Sequence, residues 1–388
     1  MENRSASARR FAPTALMLGN VVTGCAVLAP AGMLKELSEG LDVSIRTAGL
    51  LITFGAVVLC VGSPVTAWLT SRIERRRLLA MTLAVLAVTN IVSAFAPDYA
   101  SLLALRLFML AIGVIYTPQA AGTAAMIVPE KKRGSTIAYV FLGWSLAAAV
   151  GLPLITLVAH HYGWRAAYGG IGALGVISFL LLMWRLPRGL FGAAVELRTW
   201  LDLARNRLVV LLLLITTLYM SGQFVIFTFM GPLLEKLSGA SADAIGFTFA
   251  LYGAFGFIGV AIATRIVDGW GAWRTSVLFL ALVLAGVTGW AISAGNYLLM
   301  AVSVAVWGSG FAASNSMQQV RLVAAAPPMA SASVSLNTSV LYIGQAIGSA
   351  VGGILYGRDM LYGTGYVATA FLVAALSIAI ATRPRPAR

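Results

Sequence analysis

The stretch GSPVTAWLTSRIERRR, Gly62 to Arg77, returns 197 residues later as GVAIATRIVDGWGAWR, Gly259 to Arg274, in a chain of 388 residues. Each copy follows a long apolar segment, opens on a glycine and ends in a basic turn before the next apolar segment. The separation is close to half the chain. Such a period predicts two similar membrane halves in parallel orientation, the arrangement used for alternating access.

Working outward, the chain is 60% hydrophobic and 10% charged, with a mean hydropathy of +0.89. Soluble domains carry about 25% charged residues, so the expected solvent is lipid. Windows of about 20 apolar residues, enough to cross the hydrocarbon core, recur at 13–34, 46–70, 77–96, 100–127, 136–159, 166–186, 208–233, 243–265, 273–294, 297–320, 333–356 and 362–382. The expected fold is an all-α integral membrane protein of twelve transmembrane helices in two pseudo-symmetric six-helix bundles. The longest polar connection, containing VELRTWLDLARNR, reads as an amphipathic linker helix lying against the membrane. It divides the chain into an N-terminal bundle (1–190), a linker (191–207) and a C-terminal bundle (208–388).

A net charge of +14 could indicate nucleic acid, but the position of the charges argues otherwise. Of 27 Lys and Arg, 21 fall on the side of the N-terminus, among them Arg72, Arg75, Arg76, Arg77, Lys131, Lys132 and Arg133. The positive-inside rule then places both termini in the cytoplasm. No cleavable leader is expected, because the first apolar stretch leads directly into a second span. Cys25 and Cys60 both fall inside spans, which offers no disulfide framework and no metal cluster. Small residues spaced by four, Gly143, Ala147 and Gly151 in span 5 and Gly344, Gly348 and Gly352 in span 11, make smooth helix faces. These ridges are expected to slide against partners across the interface between halves.

These residues resemble the major facilitator superfamily, and within it the twelve-span drug and sugar efflux branch of arabinose-efflux and nucleoside-efflux permeases. The repeated phrase resembles the family's loop motif G-x-x-x-D-R/K-x-G-R-R. Arg106 resembles a span-four arginine. Gly143 to Tyr168 resembles the antiporter motif of span 5, including Pro153, followed by a Gly-Trp-Arg turn, and Gln318 to Gly353 resembles the branch's signature of spans 10 and 11. The resemblance implies a gating role for Gly62, Glu74, Arg75, Arg76, Gly259, Asp268 and Arg274. It implies a packing role for Gly143, Gly151, Pro153, Gly344, Gly348 and Gly352. The first copy departs from the motif, with Ser71 where the aspartate belongs and Glu74 where glycine belongs, while the second keeps Asp268 and Gly271.

Arg106 stands well inside a span, where a guanidinium costs at least about 2.5–3.5 kcal/mol unless it meets water or a partner. Two readings stay open: an arginine that anchors substrate or tunes a proton site, and a structural arginine bonding carbonyls and amides. No acid lies in the middle of a span, which disfavours cationic drugs and favours a neutral, hydrogen-bonding substrate. The candidate substrate contacts are Asn20, Thr23, Arg106, Tyr116, Gln119, Trp144 and Ser145 in the first half. In the second half they are Tyr219, Gln223, Tyr252, Trp307, Asn315, Asn337 and Tyr342. Amides supply directional donors and acceptors, and aromatic faces stack on rings or sugars. Each alone is more often interhelical glue.

The resulting expectation is a secondary-active exporter of nucleosides, sugars or amphenicol-like drugs, monomeric, in an inner membrane, exchanging its substrate for a proton. His160 and His161 titrate in the right range for that proton. No cofactor, no metal and no enzymatic activity is expected, since there is no nucleotide loop and no clustered acid or base. Multidrug efflux of cations and a transport-inactive scaffold are the alternatives.

Overall fold

The computed structural model describes residues 2–70, 72–129, 133–191, 203, 205–326 and 329–383. Ser71 and most of the expected linker helix lie outside the described residues. The regular elements among those residues are all helices, and eleven are long and apolar enough to cross a membrane. One of the eleven, Tyr139–Arg185, has 47 residues, about 70 Å at 1.5 Å per residue and twice what a bilayer needs. It breaks at Gly163, whose φ of 84° and ψ of 159° leave the helical region, so spans 5 and 6 meet at a single glycine. The count of crossings is therefore twelve, in two six-helix bundles.

Span 1 is Phe11–Gly32, span 2 Ile45–Leu69, span 3 Arg75–Ser93 and span 4 Tyr99–Met126. Spans 7 to 12 are Arg207–Phe227, Ala242–Trp270, Ala272–Ile292, Tyr297–Ala325, Ser333–Gly357 and Leu361–Ala381. Polar caps mark several starts. Asp98 accepts the Ser101 N–H at 2.8 Å, which holds its carboxyl below the usual range, and Asn296 accepts the Leu299 N–H at 3.1 Å.

Proline interrupts three spans by withholding an N–H from the carbonyl four residues earlier. Span 4 breaks after Gly113 and resumes at Tyr116, ahead of Pro118. Span 7 breaks after Phe227 and resumes as Met230–Ser238, where Pro232 leaves the Thr228 carbonyl without its partner. Span 5 widens into a π-turn at Ala147–Gly151, just before Pro153, and Leu152 N–H bonds the Ala147 carbonyl instead.

The two glycine ridges pack closely, but their partner helices correct the expectation above. Gly143 and Gly151 lie against Met17, Asn20 and Cys25 of span 1. A methyl on Gly344 would stand 2.5 Å from the Thr217 carbonyl, and Gly348 and Gly352 approach the Ser221 and Val225 carbonyls of span 7 closer still. Both ridges therefore hold helices together inside a bundle. The reason is length: a ridge touching backbone over two full turns leaves no room to slide.

Contact between the halves runs through spans 2 and 11 and through spans 5 and 8. Ala148 and Ala149, on the span-5 π-turn, sit directly against Gly253 of span 8. Further toward the face opposite the termini, Gly246 of span 8 meets Pro153 and Leu157, Gly49 of span 2 meets Phe229, and Arg46 lies along Gly353 and Gly357.

Candidate substrate pathway

The first-half candidates fall into a relay and an outlier. In the relay, Asn20 Nδ2 donates to the Val140 carbonyl at 2.9 Å, Thr117 Oγ1 donates to Asn20 Oδ1 at 2.8 Å, and Trp144 Nε1 donates to Thr117 Oγ1 at 3.0 Å. Tyr116 donates to the Leu16 carbonyl at 3.3 Å and Thr23 to the Gly19 carbonyl at 2.9 Å, both buried. Asn20 is fully buried and binds spans 1, 4 and 5 together. Gln119, Trp144 and Ser145 are only half-buried, so they carry the surface a ligand could meet. Thr117 was not singled out from sequence; its place beside Tyr116 and Pro118, where span 4 breaks, was the available signal.

Arg106 is the outlier. Its guanidinium donates to the Leu51, Ala26 and Val27 carbonyls at 2.8, 3.0 and 2.8 Å, and the residue is 2% exposed. All three carbonyls belong to spans 1 and 2, so the charge fastens three helices of one bundle.

In the second half, Gln223 Oε1 accepts from Trp307 Nε1 at 2.7 Å and from the Tyr252 hydroxyl at 3.5 Å. Tyr252 and Trp307 cross edge-on at 5.2 Å, with Phe227 and Phe311 closing an aromatic cluster around them. Neither phenylalanine was singled out, because an aromatic in an apolar run carries no sign of its direction. Asn337 accepts from Thr216 at 2.7 Å and donates to Asn315 Oδ1 at 3.1 Å. That leaves the amide NH2 of half-buried Asn315 available. The Tyr219 hydroxyl is buried with no hydrogen-bond partner among the described residues, and Tyr342 is 9% exposed.

The gating candidates also separate by half. Glu74 Oε1 accepts the Gly189 N–H at 2.8 Å, the Arg75 N–H donates to the Leu190 carbonyl at 2.8 Å, and Arg76 Nη2 donates to the Met183 carbonyl. These bonds tie the start of span 3 to the end of span 6. Gly62 faces Val114 of span 4, and Gly259 lies against the Ser309 carbonyl of span 10. Asp268 and Arg274 are exposed and make no hydrogen bond or ion pair among the described residues.

On the face opposite the termini a charged group forms where the halves meet. Lys35 Nζ reaches Glu235 Oε1 at 2.5 Å, and His160 Nδ1 lies 3.9 Å from Glu36 Oε1. The Glu235 hydrogen bond raises the Lys35 ammonium above its ordinary value, and burial raises the Glu36 carboxyl above its own. A cavity of about 240 Å³ opens here, lined among others by Thr156 and Ser241.

Residues 16–349 match the model described as the Major Facilitator Superfamily. The chain belongs to the Major Facilitator Superfamily. The inner membrane transport protein YdhP of Escherichia coli is 31% identical over 352 residues, covering 90% of this chain and 89% of that protein. A protein named probable sugar efflux transporter, from Mannheimia succiniciproducens, is 26% identical over 343 residues, covering 87% of this chain and 85% of its own. Among solved structures, a variant of the nucleoside transporter NupG superposes with a TM-score of 0.74 at 13% identity, covering 96% of this chain and all of that one. A bacterial homologue of the human lysosomal transporter Spinster, in an inward-facing and unoccupied conformation, gives 0.72 at 15%, covering 98% and 99%. This member of the superfamily is thus a multi-pass membrane transporter and not an enzyme.

Proposed function

We propose that this transporter exports a small, neutral, polar molecule (a nucleoside, a sugar or an amphenicol-like drug) in exchange for protons, rocking two bundles about a site near the midplane. The observation that carries the substrate class is the set of half-buried amide and indole groups, Gln119 and Trp144 in the first half and Asn315 in the second, with no mid-span carboxylate. A relative named as a sugar efflux transporter and a fold shared with a nucleoside transporter support the same class. The excess of Lys and Arg on the terminal face supports cytoplasmic termini, a reading in which the joined face is extracellular. The divisions at 190 and 207 and a monomeric state belong to the same proposal. Glu36 and His160 support proton exchange as the titratable pair beside the joint. Glu74, Arg75 and Arg76 in the first copy, with Asp268 and Arg274 in the second, are proposed to bias closure at the terminal face.

The test is thermal stability of the purified protein against nucleosides, pentoses, amphenicols and cationic dyes, followed by counterflow into vesicles. A ligand at 100 times its Kd adds about 2.7 kcal/mol if it binds only the folded state. Stabilisation by a neutral polar ligand, lost in Gln119→Ala and Asn315→Ala, is the expected result. Stabilisation by cationic dyes alone would replace this reading with multidrug efflux.

A further inference from the structure

The first copy of the repeated phrase borders a cleft. At the ends of spans 3 and 6 a cavity of about 300 Å³ is lined by Glu74, Arg76, Arg77, Met183 and Arg188. Glu74 is already engaged by the Gly189 N–H, and Arg77 Nε stands 3.6 Å from its other oxygen. Three guanidiniums against one occupied carboxylate leave the lining positive. Among the described residues, Arg76 Nε is buried without a hydrogen-bond partner, and Nη1 of neighbouring Arg75 is in the same condition. Buried donors of this kind normally find a partner. Spans 3 and 6 pack against each other, and from the cleft their outer faces continue as exposed apolar side chains: Met81 and Val88 on span 3, Ile177, Leu180 and Trp184 on span 6. In the second copy Arg265 and Arg274 stand exposed, and no such bonds surround them among the described residues.

We propose that this cleft seats the phosphate of an anionic phospholipid headgroup, held by Arg76, Arg77 and Arg188, with the acyl chains lying along spans 3 and 6. The position is the chemical boundary such a lipid occupies, since span 3 begins at Arg75 and span 6 ends at Arg185. Basic pockets between helices at this depth suit phosphate headgroups. Arginine's planar fork also matches phosphate oxygens better than a point charge does.

The experiment is native mass spectrometry of the full-length, delipidated protein titrated with phosphatidylglycerol, phosphatidylcholine or sodium phosphate. Arg77→Gln combined with Arg188→Gln is the main variant, because both side chains are exposed and the Arg77–Glu74 ion pair, being at the surface, adds little to stability. Phosphatidylglycerol retention should fall about fivefold per arginine, the usual weight of one basic side chain near an anionic surface. Arg265→Gln combined with Arg274→Gln should retain the lipid as wild type does. Equal loss in the two double variants, or no loss in the first, would overturn the proposal. Displacement of the lipid by sodium phosphate at equal concentration would reassign the cleft to free phosphate and overturn the lipid source.

Discussion

Arg106 illustrates how a single charge is accommodated in an apolar bundle. Three carbonyls from two neighbouring helices surround the guanidinium, and each charge-assisted bond contributes about 1.5–3 kcal/mol, most of which is lost when the donor goes. Arg106→Ala should therefore lower stability by about 3 kcal/mol or more, read as a fall in the thermal midpoint in detergent. Arg106→Lys should recover little, since one ammonium cannot serve three carbonyls in a plane. A wild-type midpoint in Arg106→Ala, with substrate affinity lost, would return the arginine to the substrate. Asn20 and Gln119 provide the complementary pair. Asn20→Ala breaks a relay across three spans and should destabilise by about 1–3 kcal/mol. Gln119→Ala should leave the midpoint unchanged and raise KM for transport. Equal midpoint losses in the two would count against the division between buried and accessible amides.

Among the elements, span 5 carries the most consequence. Its π-turn exists because Pro153 has no N–H to give Ala149, and the widened turn is what brings Ala148 and Ala149 against Gly253. Pro153→Ala restores that donor. The helix should tighten, the midpoint should hold or rise, and transport should fall as the approach to span 8 is lost. Unchanged transport with a raised midpoint would show that the turn is incidental. Gly348→Ala, which pushes a methyl onto the Ser221 carbonyl, should cost about 1–3 kcal/mol, whereas Gly122→Ala meets nothing within 4 Å and should be neutral. The helices were legible in sequence because apolar runs of the right length have few other fates in a chain with so little charge. The ridges were legible as smooth faces, yet spacing alone carries no information about which helix they meet. Arg106 was legible as a buried charge. Its carbonyl partners were not, because backbone oxygens come from every residue alike.

At the scale of the molecule, the charged group between the bundles is the candidate latch for the proposed exchange of open and closed forms. Lys35 and Glu235 are each about 40% exposed, so the pair contributes at most about 1 kcal/mol. Lys35→Ala should leave global stability nearly intact and still open the joined face several-fold, as measured by distances between spin labels on Ser38 and Ser238. Glu36 adds a pH dependence. It faces Lys35 and Glu39 on its own helix and His160 from span 5. Burial raises its carboxyl, so the protonated form favours the closed arrangement. That contribution is complete below the ordinary carboxylate range and is lost as pH climbs through the raised value. The label distance should lengthen over that climb, and Glu36→Gln should flatten the response. A distance that shortens on alkalinisation would refute the assignment.

The carbonyl-bound Arg106 has one more effect, which acts through space. Its charge is neutralised by no carboxylate among the described residues, and the carbonyl dipoles around it redistribute the field without cancelling a whole charge. At about 10 Å and an effective dielectric of about 20, a fixed positive charge raises the energy of a monovalent cation by about 1.7 kcal/mol, roughly a seventeenfold exclusion. The passage would then sort solutes by sign before any side chain touches them, as a standing electrostatic filter that needs no moving part.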